Sequence, residues 1–163
     1  MTCVHHPGPR CGLLSLFICM RVKEIVRLGK NYPFYRPEHC QRCGSIKVWG
    51  HGFVRRCIDG YNAPLWLRQW RCDDCDCVHT IRPLGYWPRH QTQIHVIVKS
   101  LCHYVTHGFW NKTLGPSRQR QRHWLVALRK NIRAWLGMDF GGDLIEGLHE
   151  LAVLPMTPVA RSD

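Results

Sequence analysis

The chain of 163 residues has room for one domain of ordinary size or two small ones, and its 45% hydrophobic content excludes disorder throughout. Its formal net charge of +12 favours a polyanionic partner, nucleic acid before membrane, and no apolar run approaches the roughly 18 residues of a membrane-spanning helix. Ten cysteines in a secreted protein would indicate disulfides, but their C-x-x-C pairing in a basic chain favours metal-bound thiolates in a reducing cytoplasm.

The first segment of the chain, residues 1–19, shares no pattern with the rest of the sequence. Its apolar run at residues 13–20 lacks a small-residue cleavage site and is followed by Arg21 and Lys23, which argues against a signal peptide. We therefore expect residues 1–19 to be a disordered extension, and we expect Met20 rather than Met1 to be the natural start.

Two C-x-x-C pairs come next, Cys40 with Cys43 and Cys72 with Cys75, and 28 residues separate them. Two residues between cysteines permit a tight turn that aims both thiolates at one point, so two such turns complete a tetrahedral zinc site. Redox chemistry would instead need a single pair near a βαβ pattern. The spacing therefore predicts a structural Zn²⁺ ion held by these four cysteines.

The segment between the two pairs has the pattern of a β-hairpin. Val48–Arg56 and residues 65–71 are predicted strands, and residues 59–64 between them are rich in turn formers. A hairpin that joins two cysteine knuckles is the plan of a zinc ribbon. Neighbouring residues that could replace one of the four ligands are Cys77, His39 and His79, whereas Cys57 and Cys102 are expected to be small buried apolar residues.

After the ribbon, assigned to residues 20–83, a linker with two prolines leads to a predicted helical module at residues 89–137. Apolar residues within 92–107 share one helical face, and Gly108 stands where a helix would end. Ser117 suits the N-cap of a second helix that runs to about Leu136. Residues 138–163 are expected to hold a short helix, with a capping box from Asp143 to Glu146, and a tail.

The charge is unevenly distributed, because residues 78–138 contain ten lysines and arginines but no aspartate or glutamate. Solvated helices normally mix both signs, so this segment favours contact with phosphates. The residues predicted to bind nucleic acid are Arg118, Arg120, Arg122, His123, Lys112 and Arg129. Most tryptophans are expected in the core, and Trp87 and Trp110, which lie in predicted loops, are the candidates for base stacking.

Several stretches carry a family resemblance: HCQRCGS at 39–45, WGHG at 49–52, WRCDDC at 70–75 and GPSRQ at 115–119. Together they resemble the N-terminal zinc ribbon and helix-turn-helix region of bacterial insertion-sequence transposases and related transposase-like proteins. The resemblance implies a zinc-dependent ribbon followed by a DNA-recognition helix.

The chain departs from that family at three points. Asp76 and His79 stand where such ribbons usually have glycine and an aromatic residue, and Gln121 stands where a recognition helix usually buries an apolar side chain. The acidic residues after Cys77 fall in a short stretch, unlike the converging carboxylates of a catalytic domain: Asp139, Asp143, Glu146, Glu150 and Asp163.

The sequence thus predicts an α+β protein, a small zinc ribbon followed by a helix-turn-helix-like module. Its expected function is DNA binding without enzymatic activity, in the cytoplasm and at the nucleoid when bound to DNA. The alternatives are an RNA-binding zinc-ribbon protein, or a basic module that docks an acidic partner such as a transposase subunit. Association of the chain with itself into a homo-oligomer is left open. No membrane partner is expected.

Overall fold

The computed structural model describes residues 13–154 and 156–160, which form a mixed four-stranded sheet and four helices. The α+β class predicted from the sequence is confirmed. The chain divides into two compact units, one ending at Leu84 and the other beginning at Gly85. No helix in the described part of the chain combines the length and the apolar character needed to cross a bilayer.

The first unit contains the sheet and one short helix. Its elements are β1 (Leu13–Ile18), α1 (Val22–Leu28), β2 (Val48–Arg56), β3 (Leu65–Cys72) and β4 (Val78–Pro83). The strand order is β1-β4-β3-β2; β2 and β4 are antiparallel to β3, whereas β1 runs parallel to β4.

The predicted hairpin is confirmed as β2 and β3. Their register runs from Val48 opposite Cys72 to Arg56 opposite Leu65, with a bulge between Gly50 and Gly52. Because successive side chains of a strand point to opposite faces, the hairpin has two distinct sides. In β3 the side chain of Leu65 is buried, while that of Trp66 is half-buried on the opposite face.

Strand β1 corrects the expectation for the start of the chain. Residues 1–12 lie outside the described part, but the prediction that residues 1–19 have no fold is wrong for Leu13–Ile18. These residues pair with β4 from Leu13 opposite Val78 to Ile18 opposite Pro83. The pairing also satisfies Arg82, a buried residue whose Nε donates to Ser15 Oγ at 2.9 Å. Burial lowers the pKa of this guanidinium, and the nearby charge of Arg56 lowers it further.

We expect β1 to contribute measurably to stability. A chain that begins at Met20 loses the strand that pairs with β4 and leaves a buried arginine without its hydroxyl acceptor. Relative to a chain that begins at Leu13, its free energy of unfolding in urea should fall by more than about 1 kcal/mol. Equal unfolding midpoints for the two chains would show that β1 is dispensable.

The second unit is helical and consists of α2 (Ile94–His107), α3 (Arg118–Trp135) and α4 (Leu144–Val153). The predicted helix ends are confirmed. Gly108 takes a left-handed φ of 78° after α2, and the side chain of Ser117 accepts from the Arg120 amide. Asp143 and Glu146 form the capping box of α4. The core between these helices comprises Ile97, Leu101, Trp110, Trp124, Leu125, Leu128, Ile132, Leu148, Leu151 and Val159.

Gln121 lies in this unit with only 1% of its surface exposed. Its Oε1 accepts from Ser100 Oγ of α2 at 2.5 Å, and its Nε2 donates to the carbonyl of Pro116 at 2.8 Å. A polar side chain is stable at such a position because both ends of its amide have partners. The hydrogen bonds link the start of α3 to α2 and to the connection before it.

Replacement of this amide tests the link directly. Gln121→Leu leaves the Ser100 hydroxyl and the Pro116 carbonyl without this partner, which should cost about 1–3 kcal/mol of unfolding free energy. The measurement is urea unfolding followed by helical circular dichroism. Gln119→Leu, at an exposed position two residues away, is the control and should change stability by less than about 0.5 kcal/mol. Equal losses in both variants would contradict a structural role for Gln121.

Candidate metal centre

The four predicted cysteine ligands come together at one end of the hairpin. The sulfur atoms of Cys40, Cys43, Cys72 and Cys75 all lie within 4.8 Å of one another. Two short distances join the two knuckles, 3.6 Å from Cys40 Sγ to Cys75 Sγ and 3.6 Å from Cys43 Sγ to Cys72 Sγ. Cys72 is the last residue of β3, so the sheet itself positions one member of the cluster.

The first knuckle, residues 40–45, is a tight turn built from backbone hydrogen bonds. The amide of Gly44 donates to the Cys40 carbonyl at 2.9 Å, and the amide of Cys40 donates to the Ser45 carbonyl at 2.7 Å. The Arg42 amide points at Cys40 Sγ at 3.4 Å. Gly44 has a φ of 75°, which a residue without Cβ adopts at little cost. The turn thus directs both of its thiols to one side.

The second knuckle reaches the same geometry without glycine. Asp76, which directly follows Cys75 as Gly44 follows Cys43, has a φ of 57°. Asp enters this left-handed region more readily than most residues, and its carboxylate accepts from the Arg71 guanidinium at 2.8 Å. The aspartate that departs from the family pattern is therefore compatible with the turn.

His79, the second residue of this region that departs from the family pattern, is fully buried. Its Nε2 lies 3.3 Å from Cys40 Sγ, a distance suited to a hydrogen bond to sulfur. Its Nδ1 has no hydrogen-bond partner among the described residues. The ring therefore contacts a ligand sulfur and stands beside the cluster, where an aromatic side chain would supply packing alone.

The electrostatics of the cluster are uneven. Burial raises the pKa of the Cys40 thiol, but the backbone amides of Cys43 and Arg42 and the His79 ring outweigh it and lower that pKa to about 6. Burial raises the pKa of the Cys75 thiol, and the neighbouring thiols add to the effect. The protein alone thus favours the thiolate of Cys40 and opposes that of Cys75, and a bound cation would favour both.

The sulfur separations fit a tetrahedral metal ion. Metal–sulfur bonds of about 2.3 Å place tetrahedral ligands roughly 3.8 Å apart, close to the two 3.6 Å distances. Four cysteine sulfurs form a donor set that is consistent with zinc without being specific to it. Four protein ligands would also complete the coordination of such an ion, as in sites that support a fold.

The cysteines outside the cluster differ in burial. Cys77 is buried beside Cys40 and Cys72, and its carbonyl accepts from the Cys72 amide, but the four-sulfur group does not include it. The prediction that Cys57 is buried is wrong, because this cysteine ends up exposed just beyond β2, and Cys102 is partly exposed. Burial of small residues at strand ends depends on distant segments that local sequence does not specify.

The predicted nucleic-acid residues all lie in the second unit and all are exposed. Five of them, Arg118, Arg120, Arg122, His123 and Arg129, belong to α3, while Lys112 lies in a 3₁₀ turn before it. Arg120 is turned toward Thr92, with 3.5 Å from its Nη1 to the hydroxyl oxygen.

Three of the α3 residues share one side of the helix and have a fourth arginine in line with them. Arg118, Arg122, Arg129 and Arg133 follow at i, i+4, i+11 and i+15, a spacing that keeps them on one stripe. We call these four residues the arginine ridge. Sequence reasoning missed Arg133, although the helical period could have found it.

The exposure of the tryptophans differs from what the sequence predicted for base stacking. Trp110 is 9% exposed and packs against Tyr104 with ring centroids 4.2 Å apart, so this candidate belongs to the core. Trp49 of β2, which sequence reasoning left out, is 54% exposed.

Comparison with models of known protein families, with curated proteins and with solved structures found no match to this chain. The resemblance to transposase zinc ribbons therefore stays a prediction.

The cysteine cluster predicts one tightly held divalent ion per chain. Cys40→Ser removes the thiol with the lowered pKa and should abolish the stoichiometric metal content, measured for all metals by mass spectrometry of the purified protein. Cys57→Ser, outside the cluster, is the control and should retain the metal. A folded wild-type chain without metal, or an undiminished content in Cys40→Ser, would contradict the site.

Proposed function

We propose that the chain is a zinc-dependent DNA-binding protein that resembles the DNA-recognition part of a transposase and acts by binding, without catalysis of its own. The observation that carries this proposal is the arginine ridge on α3. Its four guanidinium groups face solvent, and none forms an ion pair with a described residue.

An unpaired row of like charges is unfavourable in a free helix. Like charges at i and i+4, such as Arg118 and Arg122, each destabilise a helix by a few tenths of a kcal/mol. Phosphate groups along the ridge would reverse the sign of this interaction. The ridge extends for about 22 Å along the helix, which is enough to follow several phosphates of a duplex.

The position of α3 also supports contact through its first turns. Ser117 caps the helix, and Gln121 is held by Ser100 and the Pro116 carbonyl, so the start of α3 is fixed against α2. The buried side chain of Gln121 has hydrogen-bond partners within the unit, and the arginines beside it in the helix are exposed. An α-helix presented in this way matches the width of the DNA major groove.

In this proposal the zinc ion has a structural role. Cys40, Cys43, Cys72 and Cys75 would hold it, and it would supply folding free energy to the first unit by neutralising their thiolates. The backbone amides of Cys43 and Arg42 and the His79 ring already lower the pKa of the Cys40 thiol, which favours the thiolate that a metal ion binds.

RNA and an acidic protein are the alternative partners of the ridge. Duplex DNA is favoured because the ridge is straight and helical, whereas double-stranded RNA has a major groove too narrow for a helix. An acidic protein would bind with a weaker dependence on salt than a polyphosphate. The proposed location is the cytoplasm, with the nucleoid as the site of action.

Removal of ridge arginines should reduce the salt dependence of duplex binding. Removing one phosphate contact lowers the slope of log affinity against log salt by about 0.9, so Arg118→Ala/Arg122→Ala/Arg129→Ala should lower it by roughly two to three units. The measurement is titration of a labelled duplex at several salt concentrations.

Arg21→Ala is the control, because Arg21 is exposed, lies in the first unit and pairs with Glu24 at 3.3 Å. It should leave the slope unchanged. An unchanged slope in the triple variant would contradict the proposal, and tighter competition by an RNA stem-loop than by DNA would favour the RNA alternative.

A further inference from the structure

The second unit contains a cavity of about 800 Å³ between α3 and two shorter segments. Its first wall is formed by residues 88–92, which precede α2, its second wall by one side of α3, and its third by residues 159 and 160. A volume of this size is typical of sites for small organic ligands. The cavity therefore has room for more than a simple ion.

The side of α3 that lines the cavity differs from the arginine ridge and from the side that packs in the core. It includes His123, Ala127 and Lys130, which follow at i, i+4 and i+7 and so share one stripe. With 3.6 residues per turn, this stripe lies about a third of a turn from the ridge. The helix thus has three distinct sides, which face the core, the ridge surface and the cavity.

A buried amide holds the third wall in place. Asn131 is 4% exposed, and its Nδ2 donates to the carbonyl of Pro158 at 2.8 Å and to that of Ala160 at 3.0 Å. Val159, which lies between them, is 3% exposed and belongs to the core of the unit. This wall is therefore part of the packed fold.

The first wall begins with a β-turn in which Arg89 has an unusual backbone conformation. The amide of His90 donates to the carbonyl of Trp87 at 3.1 Å, and Pro88 takes the second turn position, which its fixed φ favours. Arg89 at the third position has a φ of 65°, which glycine would adopt without strain and which costs other residues conformational free energy. The turn thus places a guanidinium group in the cavity wall in spite of that strain.

The ionisable groups that line the cavity are basic. Arg89, Arg120 and Lys130 carry full charges, and His90 and His123 add imidazole rings, of which His90 has a pKa lowered by burial. No acidic side chain lines the cavity among the described residues. The described carboxylates of this unit lie in α4 or just before it: Asp139, Asp143, Glu146 and Glu150. The potential inside the cavity therefore favours an anion.

Much of the remaining lining is apolar, with a buried hydroxyl at one end. Trp124, Ala127 and Val159 contribute apolar surface on two of the walls. Thr92 is 3% exposed, and its Oγ1 lies 3.5 Å from Nη1 of Arg120. Along α3 the cavity extends about 15 Å from Arg120, and the apolar residues follow this polar end.

We propose that this cavity binds a small organic phosphate, with the phosphate beside Arg120 and Thr92 and an apolar or planar group against Trp124 and Ala127. Guanidinium groups bind phosphate through paired, charge-assisted hydrogen bonds. An apolar lining with a few placed polar groups is the usual composition of a small-molecule site. Inorganic phosphate alone would fill only part of the volume, and an uncharged molecule would gain nothing from the cationic lining.

This inference goes beyond the proposed function, since it concerns a small ligand and another side of α3, and it does not depend on duplex binding. The probes are 1-naphthyl phosphate and adenosine monophosphate, titrated by calorimetry into the full chain. Inorganic phosphate, 1-naphthol and adenosine are the comparison ligands. At least one of the two esters should bind more tightly than inorganic phosphate and more tightly than its own phosphate-free part.

Arg120→Gln should weaken binding of that ester about 10- to 150-fold, which is the contribution of a hydrogen bond to a charged group. Arg122→Gln is the matched control, because it removes the same charge two residues away on the ridge, and it should bind as wild type. Ala127→Phe fills the cavity without a change of charge and should abolish ester binding. Ala134→Phe, at an exposed position of α3 outside the cavity lining, should not.

Thermal melting followed by circular dichroism checks that each variant is folded, and Arg120→Gln serves if Ala127→Phe fails that check. Duplex binding separates the two proposals. Ala127→Phe should keep the salt slope of duplex binding, and the ridge variant with three alanines should keep ester binding.

The inference would be overturned if neither ester bound with a Kd below about 1 mM. Binding of inorganic phosphate as tight as that of both esters would also overturn it. So would wild-type affinity in both Arg120→Gln and Ala127→Phe, or equal losses in Arg120→Gln and Arg122→Gln, which would indicate general attraction by the charge of the helix.

Discussion

Four thiol groups within a few ångströms of one another impose the main constraint on the first unit. Burial and mutual repulsion oppose their joint ionisation, as the raised pKa of Cys75 shows, and yet the two knuckles direct all four sulfur atoms to one point. A bound cation would remove this conflict, since each thiolate would then gain a favourable charge at close range. Because Cys72 ends β3, ligation by this residue would also fix the hairpin relative to the first knuckle.

The cationic side chains of the two units have different surroundings. In α3 the arginines stand on a helix whose buried side is apolar except for Gln121 and Asn131, so their charge is directed to solvent. In the hairpin the cations lie against aromatic rings, which offset part of the cost of having no carboxylate nearby. A helical ridge suits the regular backbone of a duplex.

Features that depend on local spacing were predictable from the sequence. The C-x-x-C turns, the caps at Ser117 and Asp143 and the strand at Val48–Arg56 are each determined by residues close together in the chain. Strand β1 was not predictable, because its parallel pairing with β4 joins residues more than sixty positions apart and neither strand alone is distinctive. The prediction for Cys57 was wrong, and the burial of Gln121 was not predicted, for a related reason: burial follows from which distant segments cover a position.

In the candidate site, too, local features were predictable and contacts between distant residues were not. Sequence identified the four cysteines, but it could not show that Asp76 takes the left-handed conformation or that His79 lies against Cys40 Sγ. The contacts of Lys30 with Trp66 and of Arg36 with Trp49 were missed because these cations are remote in sequence from the rings they cover.

X-ray absorption at the zinc edge of the purified protein tests the central claim most directly, namely that one metal ion held by these four sulfur atoms organises the first unit. The account predicts a single shell of four sulfur atoms at about 2.3 Å and no nitrogen in the first shell, because the four sulfur atoms complete a tetrahedron and His79 Nε2 lies against Cys40 Sγ. A shell of three sulfurs and one nitrogen at about 2.0–2.1 Å, or the absence of zinc from the folded chain, would contradict it.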